Sequence, residues 1–146
     1  MVSKKEYKKM AEQASPNTKW GKNMLMAFLF GGAICTLGQL ITNLYLVWGF
    51  TVKEAATLDS VTLIGLSALL TALRVYDNLA KHGGAGTLVP ITGFANSIVS
   101  PAMEFKSEGY VVGIGGKMFV IAGPVLVYGI AASILYGLIL WFFHLY

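Results

Sequence analysis

Charge is scarce in this chain: 12% of its 146 residues are Asp, Glu, Lys or Arg, where a soluble domain carries about 25%. Cysteine is scarcer still. Cys35 stands alone inside an apolar run, which excludes an intrachain disulfide and makes it a small buried hydrophobe. The two histidines, His82 and His144, lie at the ends of apolar segments, and their spacing does not suit zinc. No acidic cluster resembles a calcium loop. Glu104 and Glu108 fall in a charged turn, where carboxylates are usually solvated. No nucleophile and base occur in a recognisable set, and the glycine-rich residues 110–117 lack both the P-loop spacing and the dinucleotide fingerprint. No catalytic residue, metal site or cofactor is therefore expected, and an enzyme is not.

What the chain has instead is apolar length. It is 55% hydrophobic with a mean hydropathy of +0.65, the composition of an integral membrane protein of one domain. The net charge of +4 belongs to one end. Six lysines and two glutamates in residues 1–22 account for all of it; the remainder carries five basic and five acidic groups. The expected division is a basic arm over 1–22 and a helical transmembrane domain over 23–146. A lysine-rich arm beside a first span places the N-terminus in the cytoplasm. Nucleic acid is not expected as a partner, because the arm is short and abuts the bilayer. The charged region and the following apolar run are both too long for a cleaved signal peptide, which predicts an uncleaved anchor.

Residues 3–14 read as a short helix. Ser3 and Glu6 have capping-box spacing, and Tyr7, Met10, Ala11 and Ala14 share a face. It either lies on an anionic lipid surface or stays a solvated arm. Ser15, Pro16 and Asn17 should end it, and Trp20 stands where an interfacial aromatic would.

Residues 24–50 are the first span. Gly31, Cys35, Gly38 and Thr42 form a stripe of small residues, with Gln39 and Asn43 as a polar pair beside it. Such positions either glue helices together or face a pore. Thr51 and Glu54 make a second capping box, from which a helix can run to His82 before Gly83 and Gly84 stop it. At about 46 Å it would exceed the ~30 Å hydrocarbon core. Its cleanest apolar part is 61–73. Arg74 and Asp77 follow and can snorkel and pair; Asp59 precedes it, either at the outer interface or facing a wet cavity. The last helix covers 118–146. Pro124 should act as a hinge near its start. Gly129, Ser133 and Gly137 give it a packing ridge, and Trp141, Phe142, Phe143 and Tyr146 an aromatic end.

Residues 86–103 are the most telling. They are as apolar as a span, yet ten residues separate Pro90 from Pro101, a helical rise of about 15 Å, or roughly half the hydrocarbon core. Broken backbone at membrane depth survives only where protein buries it or water reaches it. A re-entrant or discontinuous helix hinged at Pro90 and Pro101 is predicted. Thr92, Asn96, Ser97 and Ser100 are its candidate lining, together with Gln39, Asn43 and Asp59. The fold class is all-α: three long transmembrane helices, one broken element and an N-terminal amphipathic helix.

Residues 84–109, centred on Val89-Pro90-Ile91-Thr92-Gly93-Phe94, continue into a run from Lys117 to Pro124. With Tyr7, Lys8 and Lys9, and the run from Gly31 to Gln39, they resemble the SpoVA family of spore inner-membrane proteins over essentially the whole chain. The resemblance implies membership of a complex that moves dipicolinic acid, as its calcium chelate, into the developing spore and out at germination. It implies a tension-gated channel activity, a membrane partner, protein AEb, in a homo- or hetero-oligomer, and a soluble ligand-handling partner, protein AD. It carries no functional residues over; for the dianion that it implies, Arg74, Lys117 and the terminal N–H groups of the broken helix are the candidate anion contacts. Neutral polar lining suits a wide, weakly selective pore. The competing reading is a scaffold subunit that conducts nothing and anchors the soluble partner.

The orientation is testable. In inverted membrane vesicles, added protease should remove a tag fused to the N-terminus; full protection of the tag would reverse the topology.

Overall fold

The computed structural model describes residues 3–14 and 18–145. It is all-helical among the described residues, in the order α1 (Lys4–Ala14), α2 (Trp20–Val47), α3 (Val52–Ala72), α4 (Val75–Gly83), α5 (Ala85–Leu88), α6 (Ile91–Glu104) and α7 (Phe119–Phe142), with a 3-10 turn at Phe105–Glu108 and a wide π turn at Tyr110–Gly115 before α7. The expected stop at residues 15–17 and the aromatic role of Tyr146 fall outside the described residues. Three segments are long and apolar enough to cross a bilayer: Trp20–Val47, Val52–Ala72 and Tyr110–Phe142.

Both capping boxes form. The Ser3 N–H donates to Glu6 Oε2 at 2.9 Å and the Glu6 N–H to Ser3 Oγ at 3.3 Å, and these bonds, the backbone one foremost, hold the Glu6 carboxyl below its ordinary range. The Thr51 N–H donates to Glu54 Oε2 at 2.9 Å and starts α3. Between α2 and α3 the chain reverses at Gly49, whose φ of 91° is open to glycine. Tyr45 closes this corner edge-on to both Trp48 and Phe50.

The helix that starts at Thr51, α3, does not reach His82. It stops at Ala72, and Arg74 adopts a left-handed conformation, φ 58°. Neither glycine nor proline marks the break, so local sequence signals missed it. Left-handed backbone at a non-glycine residue costs about 1–2 kcal/mol. The turn redirects α4 so that Tyr76 is buried, 4% exposed, and tertiary contacts offset the strain.

The broken element is present, with a different shape. Its break lies at Gly84–Pro90. Gly84 has φ 49°, α5 lasts four residues, and extended Pro90 caps α6. Pro101 does not end α6, which continues through it to Glu104, and α7 likewise runs through Pro124. At 14 residues, α6 rises about 21 Å and is still too short to cross. Residues 110–116, glycine-rich enough to discourage a helix reading, join α7 in one 33-residue apolar segment.

The helices meet through small residues. α5 crosses α2 with Gly86 against the Ala27 backbone and against Gly31. Gly93 at the start of α6 sits against the carbonyls of Thr87 and Leu88. α6 lies along α3 and meets α7; Ala122 near the start of α7 is buried, and nearly all of its later residues are exposed. Cys35 is exposed on α2, not buried.

A β-carbon at Gly86 would collide with the Ala27 carbonyl, which is backbone and cannot step aside. Gly86→Val should therefore destabilise the fold by about 1–3 kcal/mol or prevent its assembly. Gly32→Ala, facing nothing within 4 Å, should be silent. Thermal unfolding in detergent compares them; equal midpoints would remove the α2–α5 crossing from the fold.

Candidate functional site

Lipid is as apolar as leucine, so helices inside it are held together by close packing and by hydrogen bonds. The buried set of this chain shows this. Its apolar members are Ala55, Leu63, Tyr76, Ala95 and Ala122; its polar members are Ser67, Thr71, Thr87 and Thr92. The four hydroxyl residues and Tyr76 converge where α3, α4, α5 and α6 meet.

Ser67 and Thr71 are one turn apart on the same face of α3. The Ser67 hydroxyl donates to the Thr92 carbonyl at 2.6 Å, reaching a first-turn carbonyl of α6. The Thr71 hydroxyl lies 2.7 Å from the Ser67 carbonyl and 2.8 Å from Asn96 Oδ1, so one proton is shared between an intrahelical and an interhelical acceptor. From the other side, the Tyr76 hydroxyl donates to the Thr87 carbonyl at 2.7 Å and lies 2.9 Å from Thr92 Oγ1. The Thr87 hydroxyl returns to the Gly84 carbonyl at 2.9 Å. These bonds satisfy backbone that the breaks around α5 would otherwise leave open at membrane depth.

This seam ends at a cavity of about 260 Å³ lined by Thr71, Arg74, Asp77, Ser100, Met103 and Glu104. Thr71 belongs to both, so its hydroxyl is where the sealed interior meets the open end. The cavity holds one guanidinium, two carboxyl groups and a serine. It can attract and orient a charged solute and has no nucleophile paired with a base.

The expected lining residues are divided by the fold. Thr92, Asn96, Ser100 and Arg74 come together along the seam and its mouth. Ser97 is on the same helix, half-buried, with its hydroxyl turned back to the Phe94 carbonyl at 2.7 Å. Gln39 and Asn43 are elsewhere. They are exposed on α2 and bond to each other at 2.9 Å. Asp59 faces α2, where Gly38 makes room for it and Thr42 lies within reach, and its Oδ1 is buried without a partner. Lys117 sits over the Phe105 ring, 4.8 Å from its centre, away from Arg74's cavity. Of the packing residues, Gly31 and Gly38 are at helix contacts. Gly129 and Gly137 meet nothing within 4 Å, and Ser133 bonds back to Gly129 within α7.

Sequence reasoning missed Ser67, Thr71, Tyr76 and Thr87. The first two were legible as a polar i, i+4 pair inside the apolar residues 61–73. Tyr76 and Thr87 were not, because their roles depend on the unmarked break at Arg74.

No solved structure matches this chain. Stage V sporulation protein AC of Bacillus subtilis (strain 168) is 43% identical over 142 residues, which cover 97% of this chain and 95% of that protein. The family model described as SpoVAC/SpoVAEB sporulation membrane protein matches residues 23–139, its span holding every helix of the seam. With three crossing segments, a broken helix bonded across a polar seam, and this match over most of its length, the chain belongs to the SpoVAC/SpoVAEB family of sporulation membrane proteins.

Proposed function

We propose that the chain is a membrane subunit of a complex that moves dipicolinic acid, with calcium, across the spore inner membrane, and that α6 is its movable element. One observation carries the reading. A helix too short to cross the bilayer packs along α3 and is bonded to it by two side-chain hydrogen bonds, Ser67 to the Thr92 carbonyl and Thr71 to Asn96, at the edge of a charged cavity. Bonds of this kind are worth about 0.6–2 kcal/mol each inside a membrane. A few of them hold a closed state firmly yet yield to a modest bias, and membrane tension supplies one by favouring the state of larger cross-section. When α6 leaves α3, the groups freed are Ser67, Thr71, Thr92 and Asn96, which form a neutral polar lining. At the mouth Arg74 offers a cation to the dicarboxylate, and Asp77 and Glu104 beside it offer oxygens to the calcium that accompanies it. The chain is a transport component and not an enzyme, in keeping with its family.

The alternative, a scaffold that conducts nothing and anchors a soluble ligand-binding partner, draws on the sealing of the same groups: Ser67, Thr71 and Thr92 are at most 6% exposed. In that reading the seam only builds the fold. Protein AEb and protein AD are the partners proposed in either case.

Flux separates the two. Liposomes loaded with dipicolinate, carrying the chain alone or with its partners, should release it under osmotic tension. Thr71→Val, nearly isosteric, removes the bond to Asn96 and should lower the tension needed for release while costing about 0.5–1.5 kcal/mol of stability. Absence of release under every tension and partner combination would leave the scaffold. Cysteines placed at Thr92 and Asn96, in a Cys35→Ser background, should react with a water-soluble reagent only under tension. Protection in both conditions removes them from a passage.

Tyr76→Phe tests the seam's structural share. It deletes the donor to the buried Thr87 carbonyl and should lower stability by about 1–3 kcal/mol, read as a lower unfolding midpoint; no shift would mean that water replaces the phenol.

A further inference from the structure

A second charged site lies at the N-terminal end of α2, the end that the lysine-rich arm is expected to hold in the cytoplasm, away from the seam. Two adjoining cavities, of about 410 and 320 Å³, share Asn23, Lys81 and His82. Volumes of this order suit a small ligand or a headgroup. The smaller adds Lys19 and Lys22, so that lysines from two distant stretches, the start of α2 and the end of α4, converge on one space. No carboxylate is among the residues lining either cavity. The neighbouring polar group is neutral: Asn78 Oδ1 accepts from Lys81 Nζ at 3.3 Å, and the Asn78 carbonyl lies 3.0 Å from His82 Nδ1 and steadies the ring.

The larger cavity is amphipathic. One side carries Lys81, His82, Asn23 and Thr18; the other is Trp20, Met24, Ala27 and Ala85. α2 enters the bilayer here, and Trp20, 75% exposed, stands at its first residue. A free anion needs only the cationic side. A phospholipid uses both, with its phosphate among the lysines and its chains along the apolar wall. Basic pockets between helices on the cytoplasmic side hold anionic headgroups in this way.

We infer that the Lys19, Lys22, Lys81 and His82 cluster binds the phosphate of an anionic phospholipid in the cytoplasmic leaflet. The bound lipid joins the end of α4 to the start of α2, beside the α5–α2 crossing at Gly86 and Ala27. The site thus couples leaflet composition to the corner that holds the broken helix.

The test uses the full chain in detergent, titrated with cardiolipin, phosphatidylcholine or inorganic phosphate and read by native mass spectrometry. Cardiolipin should bind well above phosphatidylcholine. The triple variant Lys19→Gln, Lys22→Gln, Lys81→Gln should lose on the order of 100-fold in cardiolipin affinity, at roughly fivefold for each lysine near an anionic headgroup. Lys81→Gln alone should lose about fivefold and serves if the triple variant folds poorly. The control Lys4→Gln, Lys5→Gln, Lys8→Gln, Lys9→Gln removes more charge outside the cavities and should lose much less than the triple variant. A loss in the control equal to that in the triple variant reduces the effect to net charge and overturns the site. Equal binding of phosphatidylcholine overturns it too. Inorganic phosphate binding as tightly as cardiolipin would reassign the cluster to a soluble oxyanion and overturn the lipid assignment.

Discussion

The hydroxyls of Ser67 and Thr71 on α3 hold this structure together. In water, α6 would be pressed onto α3 by its apolar face. In lipid that force vanishes, because the surrounding chains are as apolar as the helix. What remains is dispersion between closely fitted surfaces and hydrogen bonds that lipid cannot replace. Ser67 bonds the Thr92 carbonyl and Thr71 bonds the Asn96 side chain, so both fasten the same two turns of α6 to one face of α3. The rest of the corner follows from them. α6 so placed needs a connection that stops short, and Tyr76 and Thr87 cover the polar backbone of that connection.

Glycine provides the other half of the architecture by letting backbones approach. Gly86 against Ala27 and Gly31 brings α5 close to α2, and Gly93 tucks the first turn of α6 under the carbonyls of Thr87 and Leu88. The two devices act at the same corner. Glycine contact places the broken segment, and hydroxyl bonds satisfy it. Among the described residues, Gly129 and Gly137 of α7 meet no other helix and the Ser133 hydroxyl bonds within α7 itself; its exposed faces suit lipid or the neighbouring subunits of the proposed complex.

A movable element at membrane depth needs a balance of forces. A helix bonded to its neighbour by two hydrogen bonds of about 1 kcal/mol each can be ordered at rest and movable under load. An apolar buried helix with the same contacts would be either lipid-soluble or fixed. The strained Arg74, left-handed at the break between α3 and α4, lies beside that helix and contributes the cation of the cavity mouth. Strain at such a position is sustained when the surrounding fold over-determines it. Here the burial of Tyr76, two residues on, does so.

Much of this was written in one dimension. Long apolar runs, two capping boxes and the Pro90–Pro101 spacing are local features, and they specify three spans, two helix starts and one element that cannot cross. They also marked Thr92, Asn96 and Ser100 as unusual. The sequence likewise carries the family resemblance, which the comparison bears out. Position along the chain did not reveal which polar residues would meet. Gln39 and Asn43 have the same spacing as Ser67 and Thr71, yet one pair faces outward and the other is sealed against α6. The difference is set by helix rotation and by the turn at Arg74, which no glycine or proline announces. Propensity acts over a few residues, whereas the seam hydroxyls of Ser67, Thr71 and Tyr76 find partners 11 to 25 residues away, through packing that exists after the chain has folded.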